Sequence, residues 1–564
     1  MGEGAAAAAP CCGLPAVAAR CRARGAHRCH RHPRGARPST RRAACRGGGC
    51  VSAKLGRTLC VALTGLNGRL VDVEAHISSQ LPNFSVTGLP DKACGQAPDR
   101  VRSAAATSGF PLPPQRITVN LSPASIPKQG TGFDIAIALA VLAAAGVVEA
   151  RRISRVVHLG ELGLDGRVRG VRGVLPAVLA AVRAGVTHVV VPPENVAEAQ
   201  LVDGVTVHCA PTLATLVHWY AVRGGVDPLP VAGPVDEELE EAHRHGDLAD
   251  VLGQPEARLA VELAAVGGHH LLMNGPPGVG KTMLAERLVT ILPPLSREQA
   301  LQTHAIRSLT GDEIRASELD LTPPFVAPHH SASMASITGG GSGVVLPGAI
   351  SRAHCGVLFL DEAGEFKTSV LQQLRQPLES GEVTIARAKQ LVRYPARFQL
   401  VLATNPCPCG RAWGKGIDCV CSAVELRSYQ AKLSGPLIDR VDIQVVVPPV
   451  SRAAFGDEEG ETSAVVLERV LQARGAQQER WARQGWVINA RVPGHALRRP
   501  PWRLSGHATA PIDRALDLGQ LTLRGYDRTV RLAWSAADLA GRTSPTAEDV
   551  GLAFTLRSQG RAAA

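Results

Sequence analysis

A glycine-rich segment that follows an apolar run holds the residues with the clearest chemical role. It fits the pattern G-x-x-x-x-G-K-[ST], formed here by Gly275, Pro276, Pro277, Gly278, Val279, Gly280, Lys281 and Thr282. Glycines let the backbone turn so that its N–H groups, together with the start of a following helix, cradle a polyphosphate. We expect Lys281 to reach the β- and γ-phosphates of a nucleotide and the Thr282 hydroxyl to bind Mg²⁺.

Two acidic residues end a second apolar run, downstream of this phosphate loop. Asp361 and Glu362 directly follow Val357–Leu360. We expect Asp361 to support the metal ion and Glu362 to polarise the attacking water. The alternative is a chance glycine-rich loop and a core strand with capping acids. The phosphate loop and the acid pair together favour an enzyme that hydrolyses a nucleoside triphosphate, with ATP and Mg²⁺ as cofactors.

Length, composition and charge set broad limits. The chain has 564 residues, which predicts several domains, and 45% of them are hydrophobic, which is enough for large cores. The net charge is +12, but residues 1–50 contain ten arginines against the single acid Glu3. Because the remainder is only mildly basic, the charge gives weak support for a polyanionic partner.

We expect residues 1–54 to be a disordered basic extension. Six of the fourteen cysteines are scattered there among alanine, arginine and glycine without periodicity. Three interpretations stay open: a nucleic-acid arm, a transit peptide, or translated upstream sequence. The abrupt start of structured sequence near Leu55 favours a misassigned translation start. No segment has the ~18 uninterrupted apolar residues of a membrane span, and we expect a cytoplasmic protein with no membrane partner.

The rest of the chain divides into four segments. Residues 55–223 mix strands and helices without a regular alternation, which predicts an α+β domain. A linker rich in proline, glycine and acid covers 224–246. Residues 247–450 contain the phosphate loop and its apolar strands, and they predict an α/β nucleotide module; residues 451–564 are mostly helical in pattern.

Long motifs in these segments resemble those of the ComM/YifB family of Mg-chelatase-like AAA+ ATPases. They include GPPGVGKTMLAERL, GVLFLDE, YPARFQLVLATNPCPCG and LSGPLIDRVDI in the nucleotide module, and LPNFSVTGLPD and RITVNLSPASIPKQGTGFDIAIAL before it. The resemblance implies an S5/Lon-protease-like domain, then an AAA+ core of a parallel sheet with flanking helices, then a helical C-terminal lid domain. Proteolytic relatives carry a nucleophilic serine where this chain has Gly132, so we expect no protease activity.

The resemblance also implies roles for two residues near the nucleotide. Asn405 follows a third apolar run and is similar to sensor 1, which orients the lytic water; the alternative is a turn former before Pro406. Arg440 is similar to the arginine finger that completes the site of a neighbouring subunit. Its alternative is a surface ion pair with Asp439 or Asp442.

Two further assignments rest on the same resemblance. Arg524 and Arg528 are both candidates for sensor 2, and Arg524 fits the family better, although Trp534 stands where relatives usually have an arginine. Gln254 matches a position near the adenine base, with a simple helix-start turn as the alternative. If Arg440 acts between subunits, the enzyme forms a homo-oligomeric ring, and we expect a hexamer.

Residues 381–394 predict two short strands on either side of a basic tip. Their position before the third apolar run resembles a hairpin that points into the ring pore in related motors. We expect Arg387 and Lys389 to grip DNA phosphates without reading sequence. An ordinary hairpin with a solvated, charged turn is the alternative. His329 and His330 lie in a glycine-containing insert, where a second pore loop or a structural role is expected.

Four cysteines follow Asn405 as two C-x-C pairs. These are Cys407, Cys409, Cys419 and Cys421. Four thiols in one loop could bind tetrahedral Zn²⁺, but C-x-C is tighter than the usual C-x₂-C spacing. Zinc and reduced structural thiols therefore both remain possible.

Taken with the resemblance, these residues predict an ATP-driven ring motor that acts on single-stranded or branched DNA, with branch-migration or helicase activity in recombination or transformation. The alternative is a motor subunit of Mg-chelatase type, which inserts metal into a tetrapyrrole. A scaffold without catalysis conflicts with the intact Lys281, Asp361 and Glu362.

Overall fold

In the computed structural model, the described residues are 55–233, 246–312, 318–341, 344–387, 390–414, 417–433, 435–450 and 460–562, without the side chains of 559–562. The predicted basic extension 1–54, most of the predicted linker and Lys389 lie outside these ranges. The described residues, from 55 to 562, belong to one compact unit. Among the described residues, no helix combines the length and the apolar character needed to cross a membrane.

The first part of the chain builds a mixed sheet from short and long strands. Its strands are β1 (Leu55–Thr64), β2 (Asn67–Ser78), β3 (Asn83–Thr87), β4 (Arg116–Ser122), β5 (Val157–His158), β6 (Glu161–Leu162), β7 (Val168–Arg169), β8 (His188–Val191) and β9 (Thr206–Cys209). Seven of them form a sheet in the order β3-β4-β2-β1-β5-β8-β9. The β1–β2 and β2–β4 pairs are antiparallel, and the other neighbours are parallel.

Helices cover this sheet, and one of them is almost completely buried. They are α1 (Lys92–Gly95), α2 (Ala97–Thr107), α3 (Asp134–Ala145), α4 (Ala150–Ile153), α5 (Val174–Arg183), α6 (Val196–Gln200) and α7 (Leu213–Tyr220). α3 contains only small and aliphatic residues after Asp134, so it can pack on all sides. It comes so close to β1 that a Cβ on Gly56 would lie 1.9 Å from the carbonyl oxygen of Ala140.

The nucleotide module contains a second sheet, which is entirely parallel. Its strands and small hairpins are β10 (Leu271–Asn274), β11 (Phe325–Val326), β12 (Gly339–Gly340), β13 (Leu346–Pro347), β14 (Val357–Leu360), β15 (Glu382–Arg387), β16 (Gln390–Pro395), β17 (Gln399–Thr404) and β18 (Ile443–Val446). The sheet order is β11-β14-β17-β10-β18. β14 and β17 are buried along their whole length, which explains their unbroken apolar runs.

The helices of the nucleotide module and of the C-terminal part enclose this sheet. They are α8 (Pro255–Gly267), α9 (Lys281–Thr290), α10 (Arg297–Thr310), α11 (Met334–Thr338), α12 (Ala349–Arg352), α13 (Thr368–Gln373), α14 (Arg375–Ser380), α15 (Ala423–Lys432), α16 (Ser463–Trp481), α17 (Gly494–Leu497), α18 (Gly506–Asp517), α19 (Leu523–Leu539) and α20 (Ala547–Ala562). A single apolar core joins α8, β10 and the helices from α16 onward. The C-terminal helices are therefore part of the nucleotide module's core.

These elements confirm the predicted fold class: an α+β region, a parallel sheet with flanking helices, and a helical C-terminal region. The first region and the nucleotide module also touch. Ala305 of α10 belongs to the core of the first region, and the Arg297 guanidinium lies 2.6 Å from the Asp203 carboxylate. The domain boundaries drawn from sequence remain predictions.

Candidate functional site

The phosphate loop joins β10 to α9, as its sequence predicts. Gly278 and Gly280 have φ values of +80° and +86°, where side chains with a Cβ are strained. Gly275 is needed for a different reason, because a Cβ there would lie 2.3 Å from the carbonyl oxygen of Val447. The loop therefore ends at the N-terminus of α9 with a backbone shaped to bind an anion.

Lys281 is 8% exposed and points into this loop. Its Nζ donates to the carbonyl oxygens of Gly275 at 2.7 Å and Pro276 at 2.9 Å, and to Oδ1 of Asn405 at 3.1 Å. Burial lowers the pKa of Lys281, while Asp361 and Glu362 act in the opposite direction. The structure thus places Asn405 against the phosphate-loop lysine.

Asp361 and Thr282 form the other side of the site. The Thr282 hydroxyl donates to Oδ2 of Asp361 at 2.9 Å, and the Glu362 backbone N–H donates to Oδ1 at 2.9 Å. Asp361 and Asn405 follow β14 and β17, which are neighbours in the parallel sheet, so both side chains lie at its carboxyl edge. A hydroxyl and a carboxylate oxygen suit Mg²⁺, so this pair fits the metal that accompanies ATP.

Glu362 has an unusual backbone and an unexpected neighbour. Its φ is +49°, a left-handed conformation that costs a non-glycine residue about 1–3 kcal/mol. Its Oε2 lies 3.2 Å from Nδ1 of His330. The sequence did not assign His330 to the site. His330 reaches the site because it follows β11, and β11 pairs in parallel with β14, which Glu362 follows at the same sheet edge. Only a prediction of this strand pairing could have assigned His330 to the site.

Arg440 and Arg524 meet at Glu379, a residue that the sequence analysis missed. Arg440 is 6% exposed, and it donates to a Glu379 carboxylate oxygen and, at 2.5 Å, to the Pro436 carbonyl oxygen. The Arg524 guanidinium lies 3.8 Å from the same Glu379 oxygen. The ion pair that the sequence offered as the alternative for Arg440 is present, but its partner is Glu379 and not Asp439 or Asp442.

Arg528 and Gln254 have structural partners. The Arg528 guanidinium donates to Asp442 at 2.5 Å, and the pKa of Asp442 is well below its usual range: burial opposes this shift, and Arg528 is the main group that lowers the pKa. Arg524, with an exposed side chain, is therefore the freer sensor 2 candidate. Gln254 begins α8 and donates through Nε2 to the Val279 carbonyl oxygen at 2.8 Å, so it braces the phosphate loop.

The four cysteines are brought together by the loop after β17. Their sulfurs all lie within 4.8 Å of one another. The Cys407–Cys409 separation is 3.3 Å, and Cys409–Cys419 and Cys419–Cys407 are both 3.8 Å. The pKa of Cys409 is lowered to about 6, first by the backbone N–H of Arg411 and then by that of Val420.

β15 and β16 form the predicted hairpin, with an exposed Arg387 opposite Gln390 at its end. Lys389 lies outside the described residues. The base of the hairpin is buried: Tyr394 donates to the Val345 carbonyl oxygen at 2.5 Å, and its cluster includes Leu63 at the end of β1 and Leu66 in the β1–β2 turn. The first region therefore supports the hairpin, and in its sequence Gly132 follows the buried Lys128 by four residues.

Comparisons with known proteins cover most of the chain. The family model described as "Magnesium chelatase, subunit ChlI" matches residues 247–455, "Subunit ChlI of Mg-chelatase" matches 73–195, and "Magnesium chelatase, subunit ChlI C-terminal" matches 460–557. An uncharacterized protein of Mycobacterium tuberculosis is 50% identical over 90% of this chain and 99% of its own length.

Two further relatives are similar over nearly their full length. The competence protein ComM of Haemophilus influenzae is 40% identical over 85% of this chain and 93% of its own length. The protein YifB of Escherichia coli is 38% identical over 85% of this chain and 92% of its own length.

Two relatives match only part of the chain. Lon protease 2 of Bacillus subtilis is 29% identical over 31% of this chain and 35% of its own length, which supports the Lon-like expectation. The magnesium-chelatase 38 kDa subunit of Cereibacter sphaeroides is 27% identical over 28% of this chain and 51% of its own length.

Proposed function

The chain belongs to the ComM/YifB family of Mg-chelatase-like AAA+ ATPases, and from that membership we propose that it is a DNA motor driven by ATP hydrolysis. Membership in this family implies an ATPase that uses ATP and Mg²⁺. The motor would act as a cytoplasmic, hexameric ring that moves single-stranded or branched DNA, with branch-migration or helicase activity in recombination or transformation.

The chemistry of the proposal follows from the contacts at the sheet edge. A bound nucleotide places its phosphates on the amides of the loop and beside Lys281, and Thr282 and Asp361 would hold the Mg²⁺. Mg²⁺ would neutralise charge on the phosphates. Glu362 is the base that polarises the attacking water, and Asn405 orients that water from its place beside Lys281.

Arg440 carries the proposal that subunits cooperate. A guanidinium stabilises charge on the transferring phosphoryl group and stays protonated. Within one subunit it is paired with Glu379, so it has to exchange this carboxylate for the phosphate bound by a neighbour. Arg524 shares Glu379 and belongs to the same proposal as sensor 2.

The observation that carries the DNA assignment is the braced hairpin. Arg387 is exposed at the end of two strands whose base is buried against the β1–β2 turn, so its charge is presented on a rigid support. Lys389, two residues later in the sequence, belongs to the same proposal. Both would contact phosphates, which every DNA sequence offers.

The test measures ATP turnover with and without forked or four-way DNA. We expect DNA to raise the ATP turnover. We expect Arg387→Ala to weaken DNA binding and to reduce the slope of log affinity against log salt concentration by the equivalent of about one phosphate contact. The control is Arg427→Ala, which removes an exposed arginine that bonds its own helix α15. Turnover indifferent to DNA, or equal DNA affinity in both variants, would contradict the DNA motor.

The family-model descriptions favour one alternative, a Mg-chelatase-type motor for metal insertion into a tetrapyrrole. Its named relative aligns with only 28% of this chain, whereas the ComM relative aligns with 85%. A porphyrin added with Mg²⁺ separates the two: ATP turnover that responds to porphyrin and ignores DNA would favour the chelatase motor.

A further inference from the structure

The loop between β17 and α15 brings four thiols within 4.8 Å of one another. A zinc–sulfur bond is about 2.3 Å long, so the edge of a tetrahedral tetrathiolate site is about 3.8 Å. Two sulfur–sulfur separations here are 3.8 Å and a third is 3.3 Å. The fourth sulfur, from Cys421, lies within 4.8 Å of the others. One metal ion fits at the centre of this set.

The same distances argue against other uses of the cysteines. A disulfide needs a sulfur–sulfur bond of about 2.05 Å, and each of these cysteines is free. A cluster of several iron ions would separate its four thiolates more widely than a single ion does. A single ion bound by four soft thiolate ligands in a tetrahedron is zinc or iron. The elemental analysis described below distinguishes these two metals.

Backbone N–H groups complete the surroundings of a thiolate site. The Ala412 N–H donates to Sγ of Cys407 at 3.2 Å. Such donors stabilise negative charge on sulfur and orient the ligands before the metal binds.

The position of the loop indicates what the metal would stabilise. Cys407 comes two residues after Asn405, and α15 begins two residues after Cys421. A Cβ on Gly410, which lies between the cysteines, would stand 2.9 Å from Cδ of Pro277, so the loop touches the phosphate loop directly. The loop therefore links Asn405 to the segment that binds the phosphates.

We propose that Cys407, Cys409, Cys419 and Cys421 bind one zinc ion, which fixes this loop against the phosphate loop. The site is independent of the DNA partner, because the four cysteines, the Ala412 N–H that bonds Cys407 and the contact with Pro277 all belong to one subunit.

Elemental analysis of the purified full-length protein tests the first part. We expect about one zinc per chain, and Co²⁺ in its place should give the visible absorption of tetrahedral thiolate coordination. Iron in place of zinc overturns the proposal. So does a protein that stays free of metal after expression and purification with added Zn²⁺.

Matched variants then locate the metal. Loss of an outer-shell partner alone costs about 10–100-fold in metal affinity, so Cys419→Ser should retain less than about a tenth of the zinc. Cys209→Ser removes a partly buried thiol outside the cluster and should retain all of it. Equal zinc content in the two variants contradicts the site.

If Cys419→Ser does not fold, the wild-type protein can be used to test whether these four thiols hold the zinc. A mercurial reagent should release one zinc as four thiols react, and a reaction of these thiols without zinc release contradicts the proposal.

Hydrogen exchange after metal removal tests whether the zinc fixes the cysteine loop against the phosphate loop: amides of residues 406–414 and of the phosphate loop 275–280 should both exchange faster. Unchanged exchange in the phosphate loop contradicts the link. None of these measurements uses DNA, so their outcome does not depend on whether the protein is a DNA motor.

Discussion

At the scale of single residues, the site depends on a few polar contacts at the edge of the parallel sheet. Lys281 bonds Asn405, and Thr282 bonds Asp361, so residues far apart in sequence meet within hydrogen-bond distance. The proposed roles of these residues followed from the order of their motifs. The contact of His330 with Glu362 and the shared carboxylate of Glu379 did not. Both depend on which strands and helices are neighbours, and one short motif does not contain that information.

The proposed catalytic base, Glu362, gives a prediction at this scale. Glu362→Gln keeps the size of the side chain but removes the carboxylate, so ATP turnover should fall by about 10²–10⁴-fold while ATP still binds and rings still form. Turnover and nucleotide retention measure the two effects. Glu365→Gln, on the same turn and also exposed, is the control and should keep near-normal turnover. Equal losses in both variants would show that Glu362 is not the base.

At the scale of elements, burial explains why the strands were recognisable. β14 and β17 are covered on both faces, so their apolar runs are unbroken and their polar ends stand out. The hairpin β15–β16 was also predictable, since two short strand-like runs flank a basic tip in the sequence. Its support by Leu63 and Leu66 was not, because those residues come from another region of the chain.

The close approach of α3 to β1 gives a prediction about stability. Gly56→Ala places a Cβ 1.9 Å from the Ala140 carbonyl oxygen, so the helix or the strand has to shift. We expect the free energy of unfolding to fall by about 1–3 kcal/mol, measured by denaturant unfolding. Gly95→Ala is the control, since a Cβ there meets nothing within 4 Å, and it should be close to neutral. Similar values for the two variants would contradict this packing.

At the scale of the whole molecule, the C-terminal helices and the nucleotide sheet share one core, and α10 joins the core of the first region. Arg440 is the residue whose proposed action extends beyond one subunit.

Mixing two inactive variants tests that action. Glu362→Gln lacks the base and Arg440→Ala lacks the finger, so each alone should hydrolyse little ATP. In rings mixed at equal amounts, about a quarter of the junctions pair an intact base with an intact finger from the neighbour, and activity should reappear. Mixed rings that form but stay inactive would place Arg440 in the site of its own subunit.

The sequence by itself determined the chemistry and the class of fold. A phosphate loop, an acid pair and Asn405 each follow an apolar run, and a parallel sheet necessarily brings the carboxyl ends of such runs to one edge. Only the tertiary structure decided the partners of Arg440, Arg528 and His330, and the packing of the cysteine loop against Pro277. The distance in space between the segments that make those contacts cannot be deduced from their separation in sequence, because packing between whole elements sets that distance.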